Sequence, residues 1–189
     1  MKIGIFGGSF DPIHLGHIKI AKEAHRQYSL DKVIISPLNL TWAQKSPPVA
    51  SPEQRIKMCE SAAEGNEFLE VSDADIERGG VSGSIDTVND IIAKSQEGSL
   101  VYLIVGEDSA AQIGEWKNSK ELLSKVKVVV APRNLAGDKE PNKVFSWIDL
   151  DKMDVSSSTI RESIKMKKEW SHFVSPKVFD YIIKNKVYG

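Results

Sequence analysis

Cysteine is almost absent from this chain, which carries a single one, Cys59, among 189 residues. One thiol cannot form an internal disulfide, and Cys59 falls on the apolar face of a predicted helix, so we expect it to be simply buried. No apolar run is long enough to span a bilayer, and the N-terminus lacks the charged and apolar regions of a signal peptide. These absences predict a cytoplasmic protein with no membrane partner.

The chain also lacks an excess of charge of either sign. Its net charge is −1, with 27% charged and 41% hydrophobic residues. Nothing in this balance favours generic binding to nucleic acid, so nucleic acid is not predicted as a partner. The length and the ordinary composition predict one soluble globular domain over residues 1–189, with a substantial core. Assembly into a homo-oligomer is left open.

Neither of the two best-known phosphate-binding loops is present. A Walker A motif ends in Gly-Lys-Ser/Thr, and a dinucleotide fingerprint reads G-x-G-x-x-G; Gly4, Gly7 and Gly8 fit neither pattern. Instead, the apolar segment Lys2–Phe6 leads into a glycine-rich turn that gives a ligand access to the backbone at Gly7 and Gly8.

Two histidines come after that turn. A helix that begins near Leu15 puts His14 and His17 on the same side, aimed back at the turn. A histidine can donate a hydrogen bond to a phosphate oxygen and, when protonated, neutralises developing charge. Gly16, between them, is expected to leave room for a base or a ribose.

A second cluster of polar residues lies near the other end of the chain. Ser156, Ser157 and Ser158 place hydroxyls at the start of a helix, and Arg161 lies on its next turn. Helix N-termini favour anions because their first N–H groups are unpaired and the helix dipole is positive there. Two such ends in one domain predict a nucleoside triphosphate held at several points, with chemistry on phosphate.

Apolar, β-rich segments alternate with helical patterns along the chain, which is typical of a parallel sheet flanked by helices. The predicted fold is therefore α/β with a doubly wound parallel sheet in a single domain, and ligands are expected at the carboxyl ends of the strands. The predicted strands are Lys2–Phe6, Lys32–Ser36, Phe68–Ser72, Leu100–Val105, Lys127–Ala131 and Val144–Ile148.

Helix starts are marked by capping residues. Ser51 and Ser175 each precede a proline at the first helical position, and Gln54 completes a capping box with Ser51. A further helix is predicted over Ile85–Lys94, with Val88, Ile91 and Ile92 facing inward.

The two polar motifs carry a family resemblance. The segment Gly7–His17 resembles the signature of the nucleotidyltransferase superfamily related to class I aminoacyl-tRNA synthetases, and Val155–Arg161 resembles the second signature of its adenylyltransferase branch. Within that branch the whole chain is most similar to bacterial nicotinate-nucleotide adenylyltransferases. The further matching segments are Arg78–Gly80, Ser84–Thr87, Val105–Asp108, Trp116, Pro176–Val178 and Val187–Tyr188.

The resemblance implies transfer of the adenylyl group of ATP to nicotinate mononucleotide, with Mg²⁺ arriving with ATP and no dedicated metal site. It implies catalytic roles for His14, His17 and Arg161. It implies mononucleotide binding by Ser84 and Trp116, whose indole would stack on the pyridine ring. The residues implied in ATP binding are Gly7, Gly8, Ser9, Phe10, Gly16, Lys45, Gly106, Asp108, Ser156, Ser157 and Ser158. Within this set Lys45, in Trp42–Lys45, looks like the family's loop lysine, and Asp108 would accept from a ribose hydroxyl.

Other interpretations stay open. Asp11 is readable as a metal ligand or base, but an Asx-type turn before Pro12 explains it as well. Relatives commonly carry an aromatic residue and a threonine where this chain has Gly83 and Ser84, so the hydroxyl is kept and the aromatic lost. The rival functions are adenylyl transfer to nicotinamide mononucleotide or phosphopantetheine, and a catalytically silent nucleotide sensor of the same fold.

Overall fold

A computed structural model describes residues 1–39, 47–132, 144–151 and 153–189 of the chain. Six parallel strands form one sheet in the order β3-β2-β1-β4-β5-β6. The strands are β1 Lys2–Gly8, β2 Lys32–Pro37, β3 Leu69–Val71, β4 Leu100–Gly106, β5 Val126–Ala131 and β6 Ser146–Trp147. The predicted doubly wound parallel sheet is confirmed.

Helices connect the strands. They are α1 Leu15–Tyr28, α2 Pro52–Ala63, α3 Ala74–Arg78, α4 Ser84–Ala93, α5 Glu107–Ala111, α6 Ser119–Lys125, α7 Ser157–Lys165 and α8 Pro176–Lys184. Two short 3-10 helices cover Ile113–Glu115 and Ser171–Phe173. Among the described residues, no helix is both long and apolar enough to cross a membrane.

The sheet separates two hydrophobic cores, because side chains along a strand alternate between its faces. From β1, Ile3 and Ile5 enter the core that also takes residues of α4 to α6, whereas Phe6 enters the core built with α1, α2, α7 and α8. Cys59 of α2 is fully buried in this second core as a free thiol, as expected, and burial raises its pKa.

The predicted caps of α2 and α8 are confirmed: Ser51 accepts from the Gln54 N–H, and Ser175 accepts from the Val178 N–H. The orientation predicted for Ile92 is wrong. Its exposed fraction is 39%, whereas Val88 and Ile91 are buried. The inward face of α4 follows the three-residue spacing of Ile85, Val88 and Ile91, so the neighbouring Ile92 lies at the edge of that face.

The two outer strands are shorter than predicted. β3 keeps three residues and β6 only two, since each lies at an edge of the sheet and pairs on one side only. Val144, the predicted first residue of the last strand, lies before β6 and is 80% exposed. Apolar β-rich sequence thus marks the position of these strands but not the length that pairing allows.

The strand order reverses between β1 and β4. From β1 the chain proceeds outward through β2 and β3, and it then crosses back to β4 on the other side. At such a switch point the connections leave in opposite directions and open a crevice beyond the carboxyl ends of the strands. The ends concerned are Gly8 of β1 and Gly106 of β4.

Candidate active site

A cleft of about 970 Å³ opens at this switch point. It brings together two regions that are far apart in the chain, the turn after β1 and the segment from α4 to Trp116. The lining residues are Gly7, Gly8, Ser9, Leu38, Val81, Ser82, Gly83, Ser84, Leu103, Ile104, Val105, Gly106, Ser109, Gln112, Glu115, Trp116 and Lys117.

The turn after β1 is shaped by the ring of Phe10. A β-carbon on Gly8 would lie 3.1–3.3 Å from atoms of that ring, so a side chain there would displace it. Phe10 adopts a left-handed backbone conformation with φ of 47°. Its ring is buried and packs edge-on against Phe6, with centroids 5.5 Å apart. Phe10 therefore faces the core, and only its backbone is placed to meet a nucleotide.

The two predicted catalytic histidines stack on each other. α1 begins at Leu15 with His14 as its N-cap, and the imidazole centroids of His14 and His17 are 3.7 Å apart, which confirms that they share one side. The backbone N–H of His14 donates to Nδ1 of His17 at 3.2 Å. Because Nδ1 accepts, the proton of neutral His17 is on Nε2, the nitrogen left to donate to a ligand.

Gly16 has a different role from the one expected. A β-carbon there would lie 2.9 Å from Cε1 and Nδ1 of His14 and 2.9 Å from Cγ1 of Val155. The space is filled by the His14 ring and by the second motif rather than left for a base or ribose. Gly16 thus lets the N-terminus of α1 pack closely against the segment that leads into α7.

Burial keeps both imidazoles neutral at pH 7. Burial lowers the pKa of His14 to about 4, and burial followed by the nearby His14 lowers the pKa of His17 well below its usual value. His14 Nδ1 has no hydrogen-bond partner among the residues that the structure describes, so a proton there would carry an uncompensated charge. In the absence of ligand both rings are therefore neutral at pH 7, a form in which each can donate one hydrogen bond, and the protonated form that would neutralise phosphate charge is disfavoured.

This pKa shift predicts a pH-dependent stability. Between pH 6.5 and about 4 the unfolded chain protonates His14 and the folded chain does not, so the free energy of unfolding falls as the pH drops through this range. Urea titrations should show wild type losing about 2 kcal/mol more than His14→Asn between pH 7.5 and pH 5. Equal losses in the two proteins would contradict the lowered pKa.

The second motif holds the first one by hydrogen bonds. Ser156 caps α7 by accepting from the Thr159 N–H at 3.1 Å. The Ser157 hydroxyl donates to the Pro12 carbonyl at 2.8 Å, and Arg161 Nη1 donates to the Asp11 carbonyl at 2.6 Å. Part of the motif predicted to bind phosphate is therefore engaged in holding the turn that precedes α1.

Two members of that motif keep room for a ligand. Ser158 is exposed, and within the described parts of the chain its hydroxyl has one contact, a long one of 3.4 Å with Nη2 of Arg161. The Arg161 side chain is 26% exposed. Neither residue lines the cleft. Arg161 contacts Asp11, in the turn that precedes α1, and Ser158 lies beside Arg161.

Asp11 connects parts of the chain that sequence analysis kept separate. Its carboxylate accepts from the N–H groups of Val49 and Ala50 at 2.8 and 2.9 Å and from the Tyr188 hydroxyl at 2.8 Å. It also lies 3.6 Å from Nη1 of Arg161. The Asx-turn interpretation is corrected by these long-range partners, which no local pattern indicates.

Two further buried charges were missed. Arg55 is fully buried and donates through Nη1 to the carbonyls of Ser9 and Leu38 at 2.8 and 2.7 Å, which fixes the turn after β1 to the segment after β2. The sequence did contain a pattern that could have predicted this burial, because Arg55 lies on the same face of α2 as the buried residues Met58, Cys59 and Ala62.

Asp75 is the second missed charge. This fully buried carboxylate accepts from the Asn39 N–H at 2.7 Å, from Arg78 at 2.7 Å, from Thr87 at 3.1 Å and from the Ser82 hydroxyl. It thereby ties the start of α4 to the segment after β2. Of these partners, only Arg78 could be predicted from the local sequence, because it lies three residues after Asp75 in the same helix.

The remaining predicted residues divide into three groups. Ser84 begins α4 after Gly83, Trp116 comes after the Ile113–Glu115 helix, and both line the cleft with Gly106. Asp108 lies in the first turn of α5 but is not a lining residue. Lys45 lies outside the described residues.

Comparison with known proteins identifies relatives of the chain. A family model described as Cytidylyltransferase-like matches residues 5–163. The chain is 34% identical to a probable nicotinate-nucleotide adenylyltransferase of Dictyoglomus turgidum, over 100% of this chain and 96% of that protein. It is 35% identical to a protein of the same name from Caldicellulosiruptor saccharolyticus, over 100% of this chain and 99% of that protein.

Solved structures show the same fold. The nicotinic acid mononucleotide adenylyltransferase of Plasmodium falciparum, complexed with NaAD, superposes with a TM-score of 0.80 at 18% identity, covering 99% of this chain and 97% of that one. A putative nicotinate-nucleotide adenylyltransferase from Vibrio parahaemolyticus gives 0.71 at 18% identity, covering 96% and 98%. The chain therefore belongs to the cytidylyltransferase-like family, among relatives that carry the name nicotinate-nucleotide adenylyltransferase.

Proposed function

We propose that this protein is a nicotinate-nucleotide adenylyltransferase, which joins ATP and nicotinate mononucleotide into nicotinate adenine dinucleotide and pyrophosphate in NAD biosynthesis. The observation that carries the proposal is the stacked His14–His17 pair at the start of α1. The pair does not itself line the cleft, but it follows the turn whose residues Gly7, Gly8 and Ser9 line it together with Trp116. The names of the full-length relatives support the same reaction. We propose the cytoplasm as its compartment, since ATP is supplied there.

The reaction is a substitution at phosphorus. A 5′-phosphate oxygen of the mononucleotide forms a bond to the α-phosphorus of ATP, and the bond from that phosphorus to the oxygen bridging to the β-phosphorus breaks. The electron pair of the broken bond leaves with pyrophosphate. Because the nucleophile is already an anion, no base and no covalent enzyme intermediate are needed, and catalysis rests on positioning and charge stabilisation.

The histidine pair would supply that stabilisation. His17 carries its proton on Nε2, because its Nδ1 accepts from the His14 N–H, and a neutral imidazole loses less hydration than a cation when it is buried against a phosphate. An approaching phosphate favours the protonated form, so binding of ATP would raise both pKa values from their lowered positions. We assign His14 and His17 to the reacting phosphate group.

Charge on the outer phosphates would be met by the start of α7. Arg161 supplies the cation and Ser158 an exposed hydroxyl, while Ser156 and Ser157 keep this end of the helix in place. Lys45 is proposed as a second cation. Among the described residues, no group of three or more His, Cys, Asp or Glu side chains could hold a metal ion. We therefore propose that Mg²⁺ enters with ATP, where phosphate oxygens and water satisfy its coordination and it offsets phosphate charge.

The assay that tests the function is pyrophosphate release from ATP with three acceptors supplied separately: nicotinate mononucleotide, its amide and phosphopantetheine. Release with the nicotinate compound at the highest kcat/KM supports the proposal. A preference for either of the other two would replace it with a rival adenylyltransferase. Binding of ATP without release for any of the three would make the protein a nucleotide sensor.

Removing single cleft side chains should separate ring binding from carboxylate binding. Trp116→Ala should lower kcat/KM for the acid and the amide alike, by roughly 1–3 kcal/mol of lost stacking. Ser84→Ala should lower kcat/KM more for the acid, because the hydroxyl at the start of α4 can donate to a carboxylate. Ser109→Ala, which removes a hydroxyl from the α5 side of the same cleft, is the matched control. Equal losses for acid and amide in Ser84→Ala would remove Ser84 from substrate selection.

A further inference from the structure

Two side chains that line the cleft carry charges to which the proposed reaction assigns no role. Among the described residues that line the cleft, Lys117 is the one cation, and Glu115 is the one anion. Lys117 directly follows Trp116, on which the pyridine ring is proposed to stack. The two acceptors differ in charge at this ring, because nicotinate carries a carboxylate and nicotinamide a neutral carboxamide.

The geometry holds the Lys117 ammonium at the start of α4. Its alkyl stem passes over Gly83, where a β-carbon would lie 3.5 and 3.6 Å from Cβ and Cδ of Lys117. Its Nζ lies 3.3 Å from Oδ2 of Asp86, and the same oxygen accepts from the Gly83 N–H at 2.9 Å. The ammonium therefore lies beside the first turn of the helix that Ser84 begins.

The ion pair with Asp86 leaves the Lys117 ammonium able to bind a second anion. The side chains of Lys117 and Asp86 are 48% and 30% exposed, and pairs at such exposure contribute little to stability. Asp86 is itself held by the Gly83 N–H and so keeps a fixed place. An ammonium has three donors, so it can keep this partner and still bind a second carboxylate.

We propose that Lys117 is a specificity residue, whose ammonium binds the carboxylate of the pyridine ring stacked on Trp116 and so selects the acid over the amide. This inference rests on the proposed function. The small residue at Gly83 is part of the arrangement, because the stem of Lys117 covers it. The N-terminus of α4 adds positive potential at the same place.

The test compares the acid and amide mononucleotides in pyrophosphate release at saturating ATP, with calorimetric binding of each mononucleotide as a second readout. Lys117→Met removes the charge and keeps most of the stem, whereas Lys117→Arg keeps the charge. Lys120→Met removes an equal charge from an exposed position of α6 that does not line the cleft.

Lys117→Met should lose about tenfold to a hundredfold in kcat/KM for the acid, mainly through KM, and less than about twofold for the amide. Lys117→Arg should keep the preference, and Lys120→Met should match wild type. The inference is overturned if Lys117→Met keeps the wild-type ratio of acid to amide, if it loses both substrates equally, or if wild type shows no preference. Absence of product from both mononucleotides with wild type would instead defeat the proposed function, on which the inference depends.

Discussion

Replacing His17 with alanine should lower kcat about 100- to 1000-fold while changing the KM for ATP far less. His17 presents Nε2 as a fixed donor at the turn after β1, because its Nδ1 is held by the His14 N–H. Removing one preorganised donor that acts where charge develops typically costs about 2.7–4 kcal/mol of transition-state stabilisation. Steady-state pyrophosphate release at varied ATP measures both constants.

Two amide variants of His17 separate donation by Nε2 from the hydrogen bond that Nδ1 accepts from the His14 N–H. In His17→Asn the amide oxygen can replace Nδ1 as the acceptor of the His14 N–H, but no donor reaches the Nε2 position. In His17→Gln the amide nitrogen can reach that position. We expect His17→Asn to be as slow as His17→Ala and His17→Gln to recover part of kcat. His172→Ala, at an exposed histidine, is the control. A kcat for His17→Ala within about threefold of wild type would show that the donor has no catalytic role.

Asp11→Ala should reduce the free energy of unfolding by about 3 kcal/mol. The carboxylate accepts from two N–H groups and the Tyr188 hydroxyl, and Arg161 lies beside it. Removing it leaves those donors and part of a positive charge without an acceptor, which costs more than the loss of the hydrogen bonds themselves. Urea denaturation of both proteins at pH 7 measures the difference.

Two further variants provide reference values for the loss of stability expected in Asp11→Ala. Tyr188→Phe removes a single donor, so it should cost about 1 kcal/mol. Asp180→Ala, at an exposed position of α8, should change stability by less than about 0.5 kcal/mol. If Asp11→Ala proves no worse than Asp180→Ala, the carboxylate does not hold the turn, and Asp11 would again be open to a role with the ligand.

Local features of the site could be predicted from the sequence because they depend on neighbours in the chain. The stacking of His14 and His17 follows from a three-residue spacing at a helix start, and the cap at Ser156 follows from its position before α7. The α/β fold follows from the alternation of apolar strands and amphipathic helices. The lengths of β3 and β6 could not be predicted in this way, because they depend on the strand with which each pairs at the edge of the sheet.

The sequence by itself indicated the alternation of strands and helices, the helix starts after His14 and Ser156, and two residues that line the cleft, Ser84 and Trp116. The hydrogen-bond partners of the buried carboxylates, in contrast, could be identified only from the tertiary structure. Asp11 takes its partners from positions 49, 50, 161 and 188, and Asp75 takes some of its own from positions 39, 82 and 87. A buried carboxylate needs donors from whatever element packs against it, and those elements are set by long-range packing that no local spacing records.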